Sequence, residues 1–306
     1  MKIQAASIGE AVPRDTFDAT IQSVYESTVN LRLEGEDRLI TLLSSDRYEL
    51  PQGIRIADKN LSLRTLTVGL RAASRGGVLR FDFSPLTIDL RGASVWRCRM
   101  KELNADMQSP PVLEAWSLAW KLLNENQKLR HADLIAENLF QADFSSPLSR
   151  RMARPVSQLA AAAEQYDVEG TIHAAEEIIG LGPGATPSGD DVLIGFLAAF
   201  WSVAGEHEQQ LSFVHSFGTV LMQIAEQTNE ISRTYLFHAT QGQFSSTLTY
   251  LAAAIVTGGD VQQHIQSAMR VGHSSGMDSV TGMLIGLRVW NTEQSSAYSA
   301  FTNAER

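Results

Sequence analysis

The sequence predicts an α+β protein, with a β-rich N-terminal domain over residues 1–103 followed by a mainly α-helical domain over residues 104–306. Three observations predict it. Up to about residue 100, apolar residues come in short alternating runs, as in Val78-Leu-Arg-Phe-Asp-Phe83, between glycines and prolines. That is the pattern of strands with one buried face. After Pro110-Pro111 the period changes, and Val112, Ala115, Trp116, Ala119, Trp120 and Leu123 fall on one helical stripe. With 306 residues, 44% hydrophobic and 19% charged, the chain also has material for two cores.

Taken in order, the runs read as strands are Val29–Leu33, Arg38–Leu43, Leu66–Leu70, Gly77–Phe83 and Ser94–Arg99, punctuated by Pro51, Gly53, Gly76, Gly77 and Pro85. Asn104–Pro111 reads as a linker or helix entry, because a first helical turn has no use for the N–H that proline lacks. Beyond the 112–123 stripe, helices are expected at about 128–141, 154–166, 169–180, 188–204 and 209–226. Others follow at about 231–241, 245–257, 260–271 and 276–291. Trp116, Trp120 and Trp201 stand at helical spacing among aliphatics and read as core.

The formal net charge is −9, with no dense run of Lys or Arg, which argues against nucleic acid as a partner. An anion site in such a chain must work locally, through backbone N–H groups and one or two cations. The single cysteine, Cys98, fits a reducing compartment and is expected to be a small buried hydrophobe. Met1–Glu10 lacks the apolar core of a signal peptide. The longest apolar stretch, Val192–Ala204, is too short to span a bilayer and contains Gly195 and Ser202. A cytoplasmic protein with no membrane partner is expected.

The chemistry concentrates in three stretches. The first is Gly180-Leu-Gly-Pro-Gly-Ala-Thr-Pro-Ser-Gly-Asp-Asp191, ahead of the apolar helix 192–204. Its glycines, Gly182 and Gly184 among them, permit close approach of backbone to a ligand, and Pro183 and Pro187 stiffen it. Ser188 reads as an N-cap whose capping box Asp191 completes. A helix start offers unpaired N–H groups and a positive dipole end, which suit an anion. Thr186, Ser188 and Gly189 are therefore candidate binding residues. Asp190 and Asp191 are candidate catalytic groups, or alternatively oxygen ligands for Mg²⁺. No other metal or cofactor is expected.

The pattern recurs 87 residues on: Ser188, Gly189, Asp191 and Gly195 return as Ser275, Gly276, Asp278 and Gly282. We read Ser-Gly-x-Asp-x-x-x-Gly as a helix start used twice. Each second glycine lies one turn after its aspartate on the same face, where a glycine costs about 0.5–1 kcal/mol relative to alanine. Close approach of another helix, or of a ligand, would explain the pair.

In the stretch Thr228-Asn-Glu-Ile-Ser-Arg233, Asn229 can cap a helix, Ser232 can line a pocket and Arg233 is suited to clamping an oxyanion. His238, among apolar residues, reads as a buried, satisfied histidine. The third stretch is Gly272-His-Ser-Ser-Gly276, in which His273 precedes a helix whose dipole favours a neutral imidazole, able to polarise a carbonyl or move a proton. There is no Cys-x-x-Cys, His-Glu-x-x-His, Gly-x-Ser-x-Gly or Walker motif, and Gly180-x-Gly182-x-Gly184 has not the spacing of a dinucleotide fingerprint.

These ordered motifs, Gly182–Asp191, then Thr228, Ile231-Ser232, Leu236, Ala239, Gly242 and Phe244, then Gly272-His-Ser-Ser-Gly-Met-Asp278 and Gly282, resemble a bacterial family long known as a domain of unknown function. One member of it is a subunit of the oxamate carbamoyltransferase of anaerobic allantoin breakdown. Residues 180–290 carry the likeness; the N-terminal half shares only its general layout. Small departures are Ala185 for a leucine, Ser274 for a common threonine, and Met277 at a variable position. Arg233 matches no family position. The resemblance implies an enzyme subunit handling a small anionic substrate (oxalurate or oxamate, phosphate or carbamoyl phosphate) alongside other subunits, or as a homo-oligomer. The rival readings are a non-catalytic binding or assembly subunit and a Mg²⁺-dependent phosphoryl-transfer enzyme.

Overall fold

The structure, a computed structural model, describes residues 1–58, 61–140 and 146–290. Residues Met1–Cys98 with Phe244–Ser246 make one compact unit, and Arg99–Gln243 with the chain from Thr247 onward make a second.

The first unit is a β-barrel. Among the described residues its strands are β1 (Lys2–Gly9), β2 (Phe17–Val24), β3 (Thr28–Leu33), β4 (Leu39–Leu43), β5 (Gly53–Ile56), β6 (Arg71–Arg75), β7 (Val78–Phe81), β8 (Thr87–Asp89) and β9 (Ser94–Trp96). They neighbour one another in the order β5-β4-β3-β2-β6-β7-β8-β1-β9, and a β1–β5 pairing closes the ring. Closure leaves no open edge between β5 and β1, which is what protects a barrel from edge-to-edge association. In β2 the alternation is plain: Phe17, Ala19 and Ile21 are buried, and they join Ile3, Leu31, Leu42, Ile54, Leu79 and Ile88 in one core.

Several strand expectations need correction. Leu66–Leu70 is not a strand: a 3₁₀ turn at Leu63–Thr65 leads into a bend through Gly69 (φ +89°), and the strand is Arg71–Arg75. The runs ending at Phe83 and Arg99 stop earlier, at Phe81 and Trp96. Phe83, at φ 55°, has left strand geometry and points to solvent. The strands β1, β2, β5 and β8 were not anticipated. Cys98 is half-buried rather than buried, and its Sγ accepts the Phe244 N–H at 3.4 Å.

The second unit is helical: α1 (Pro110–Leu129), α2 (Pro147–Glu164), α3 (Val168–Glu176), α4 (Ser188–Ala204), α5 (Glu208–Ile224), α6 (Glu230–Thr240), α7 (Ser246–Thr257), α8 (Val261–Met269) and α9 (Ser275–Gly286). Pro110 and Pro111 occupy the first turn of α1, as expected. The helix expected at 128–141 is absent; only a 3₁₀ turn, Glu137–Leu139, forms there. The chain breaks at His131 (φ 51°). The loop amides are then satisfied from α1, Ala136 N–H donating to Gln127 Oε1 (2.8 Å) and Glu137 N–H to Asn124 Oδ1 (2.9 Å). Residues 141 and 291, the ends of two expected helices, lie outside the described residues.

Helix α4 is buried along nearly its whole length, with only Val203 partly exposed. Its main neighbour is α9. The tryptophans are core: Trp116, Trp120 and Trp201 are buried, with Trp116 Nε1–H bonded to the Leu284 carbonyl (2.8 Å) and Trp201 Nε1–H to that of Ala239 (3.0 Å). Among the described residues no helix is long and apolar enough to cross a membrane.

Candidate functional site

The site lies where α4 and α9 begin. The two helices cross at their glycines. A Cβ on Gly195 would stand 2.0 Å from the Ser279 carbonyl oxygen, and one on Gly282 2.0 Å from that of Val192. Ser279 is itself 87 residues after Val192, so the repeat read in the sequence is an approximate two-fold in space. The first glycines are likewise packed against backbone. A Cβ on Gly189 would meet the Ile178 carbonyl at 1.7 Å, and one on Gly276 the Ala268 carbonyl at 2.0 Å. All four positions are glycine because backbone lies against them.

The capping boxes expected at Ser188/Asp191 and Ser275/Asp278 do not form. The N-cap residues are Pro187 and Ser274, so Ser188 and Ser275 are already inside their helices. With that shift of one residue, each aspartate stays in the first turn of its helix but leaves the third position, from which a capping box is made. Each now faces hydroxyls of the loops and, crosswise, of the other helix: Asp191 faces Thr186 and Ser275, and Asp278 faces Ser188 and Ser274. The Thr186 and Ser275 hydroxyls hydrogen-bond at 2.6 Å, tying the first loop to the second helix start.

The aspartates are buried: Asp190 is 0% exposed, Asp278 1% and Asp191 4%. Burial holds the Asp191 carboxyl well above the usual range, and the charge of Asp278 pushes it the same way. Burial raises Asp278 to about 7, against the opposing pull of the Ser188 and Ser274 hydroxyls. Even so, neither Asp278 oxygen completes a hydrogen bond among the described residues, and Asp191 Oδ2 is equally without a partner there.

Asp190 is occupied. Its Oδ1 accepts the Gly180 N–H at 2.7 Å and its Oδ2 the Thr228 hydroxyl, while burial raises its pKa. It therefore ties the glycine loop to the start of α6. Asn229 caps that helix as expected, accepting from the Ile231 and Ser232 N–H groups at 3.0 and 3.1 Å. Ser232 is fully buried beside Asp190, and Arg233 is half-buried on α6. His238 is a satisfied core histidine, Nδ1 standing 2.9 Å from Gln243 Oε1. Asp190 thus links the first stretch to the second, and Thr186 links the first to the third.

The free donors differ from those expected. In the first turn of α4, the amides of Gly189, Asp190 and Asp191 are already bonded to the carbonyls of Leu181 and Pro187. The Gly276 N–H is likewise used, on Val271. Open N–H groups lie instead in the loop and at its end, on Gly184, Ala185, Thr186 and Ser188, which have no partner among the described residues. Residues 183–185, Gly272 and His273 are exposed, and Gly182 is half-buried. Gly182, at φ +117°, passes so close to Ser188 that a Cβ would stand 2.8 Å from its amide nitrogen. Among the described residues, no three His, Cys, Asp or Glu side chains are grouped as a metal ion would require.

The family follows from comparison. A family model described as oxamate carbamoyltransferase subunit AllH matches residues 178–287, and one described as the AllH family N-terminal domain matches residues 3–95. The chain belongs to the AllH family. The first match covers all three motif stretches and both crossing helices of this AllH chain; the second covers nearly the whole of its barrel. No solved structure matches it.

Proposed function

We propose that this AllH-family chain is a subunit of a carbamoyltransferase acting on small carbamoyl and carboxylate anions, moving a carbamoyl group between oxalurate and phosphate. The observation that carries this reading is the run of unbonded amides at Gly184, Ala185, Thr186 and Ser188, held by the Thr186–Ser275 hydrogen bond beside the loop bearing His273. Preorganised N–H donors are the group a developing oxyanion needs, each worth about 2.7–4 kcal/mol in acyl-transfer sites. They supply it without positive charge, in keeping with a chain of net charge −9.

In this reading a phosphate oxygen attacks the carbamoyl carbon of oxalurate, and the bond from that carbon to the internal nitrogen breaks. Oxamate leaves on that nitrogen, which takes the proton the phosphate gives up, and carbamoyl phosphate remains. His273, exposed at the rim, carries the proton. Arg233 adds positive charge, and Ser232 and Asp190 support the loop from beneath. Gly182, Gly189 and Gly276 let the backbones close in.

The partners are the other subunits of the complex. The test is phosphate-dependent release of oxamate from oxalurate, assayed with the chain alone and with candidate partner subunits. No release in any combination rejects the reading.

A second reading, a non-catalytic binding or assembly subunit, is favoured by one observation: Gly195 and Gly282 are accounted for by helix contact alone.

A further inference from the structure

Buried polar atoms in proteins are nearly always hydrogen-bonded, and each exception asks for a cause. Here three carboxyl oxygens in one place lack partners: both of Asp278 and Oδ2 of Asp191. These side chains are 1% and 4% exposed. They stand opposite one another across the two-fold, each turned toward hydroxyls of the loop ends that also carry the open amides. The charges acting on them are those of other aspartates: Asp278 and Asp190 on Asp191, and Asp133 on Asp278. Among the described residues, their surroundings therefore supply weak hydroxyl donors and no neutralising cation.

We propose that Asp191 and Asp278 bind the primary amide of the substrate while the loop amides at 184–188 hold its anionic end, so that the site selects molecules carrying both. This rests on the carbamoyltransferase reading and adds what recognises the primary amide that its substrates and products share. The chemistry is specific. An ionised carboxyl accepts an amide N–H. A protonated one makes a two-point pair, donating its O–H to the amide carbonyl and accepting an N–H in return. Oxalurate, oxamate and carbamoyl phosphate each carry an amino group on a carbonyl carbon, so one pair of acceptors would serve both directions of the reaction.

The test compares oxamate with pyruvate, which has the same charge and nearly the same shape but a methyl where oxamate has its amino group. Binding of each, and of inorganic phosphate, is measured by calorimetry on the full chain and on its complex. Sites that hydrogen-bond an N–H reject the analogue lacking it by up to about 10⁴–10⁵-fold. We expect oxamate to bind at least about 100-fold more tightly than pyruvate. Asp278→Leu, which removes both carboxyl oxygens at similar volume, should bring that ratio below about 5 and leave phosphate affinity within about threefold. If Asp278→Leu does not fold, Asp191→Leu and the wild-type ratio carry the test.

Equal binding of oxamate and pyruvate, with phosphate bound, overturns this inference and leaves the carbamoyltransferase reading standing. An unchanged ratio in both variants also overturns it. Failure of oxamate and phosphate alike to bind at millimolar concentration overturns both.

Discussion

Gly195 lies against the carbonyl of Ser279, and Ser279 stands to Gly282 as Val192 stands to Gly195: three residues before it, in the matching turn of the matching helix. The α4–α9 contact is thus one interaction made twice. Gly195→Ala and Gly282→Ala should each be strongly destabilising. A Cβ 2.0 Å from backbone oxygen cannot be absorbed by a side-chain shift, so the loss should exceed the usual 1–3 kcal/mol of overpacking. By the two-fold, the two losses should be similar. Denaturant unfolding of the single variants checks this. An alanine at exposed Gly184 (φ +103°) meets no such wall and should cost about 1 kcal/mol of backbone strain.

Asp190 and His273 should separate structure from chemistry. Asp190→Ala leaves the Gly180 N–H and the half-buried Thr228 hydroxyl without their acceptor and should cost about 1–3 kcal/mol. His273→Ala, at an exposed position, should leave the melting temperature unchanged while lowering turnover by about 10²–10⁴-fold. Activity that merely tracks the folded fraction in both variants would favour the assembly reading.

The Thr186–Ser275 hydrogen bond should be measurable by a double-mutant cycle. Thr186→Val and Ser275→Ala each untie the loop from α9, and their coupling should be about 0.5–1.5 kcal/mol. Each single variant should also weaken phosphate binding by several-fold. Additive effects on stability would show that the contact contributes nothing.

Stability should fall as pH rises from about 4 to 7. Asp278 has its carboxyl raised from 3.8 to about 7, so in this window the folded chain holds a proton that the unfolded chain has released. The linkage slope is then negative: the stabilisation is complete below about 4 and gone above about 7. The gap corresponds to about 4 kcal/mol. Asp278→Asn should lessen the fall of the melting temperature across this window, the raised carboxyls of Asp190 and Asp191 supplying the rest, and raise it above the wild type at pH 8. Thermal melts at pH 5 to 8 decide the matter.

The sequence made the architecture legible because each unit has its own period. The stripe Val112–Leu123 and the apolar run 192–204 became α1 and α4, and Val29–Leu33 became β3. Strand β1 was missed because its buried positions include small residues, Ala5 and Ser7, which weaken the alternation. Barrel closure, through β1 and β5, is a pairing of segments about 50 residues apart that no local pattern encodes. At the site, the 87-residue repeat was readable, but its meaning was not. Capping rules placed Asp191 and Asp278 on their own helix starts. The one-residue shift to Pro187 and Ser274 turned them toward the other helix, a choice made by tertiary packing. For the same reason the free amides moved out of the α4 turn and into the loop.

Strand β1 pairs with β5 at residues 54–56, with β8 at 87–89 and with β9 at 94–96. The strand of this barrel that is made first is therefore completed last. At synthesis rates of about 5–20 residues per second it waits on the order of 5–20 s with one side unmatched. Its exposed Lys2 and Gln4, and the polar Ser7, are what make that interval tolerable: they keep a nascent strand from recruiting a stranger before its own neighbours have been made. Substitutions there by apolar residues would be felt in the yield of newly made chain, rather than in the melting temperature of the finished one.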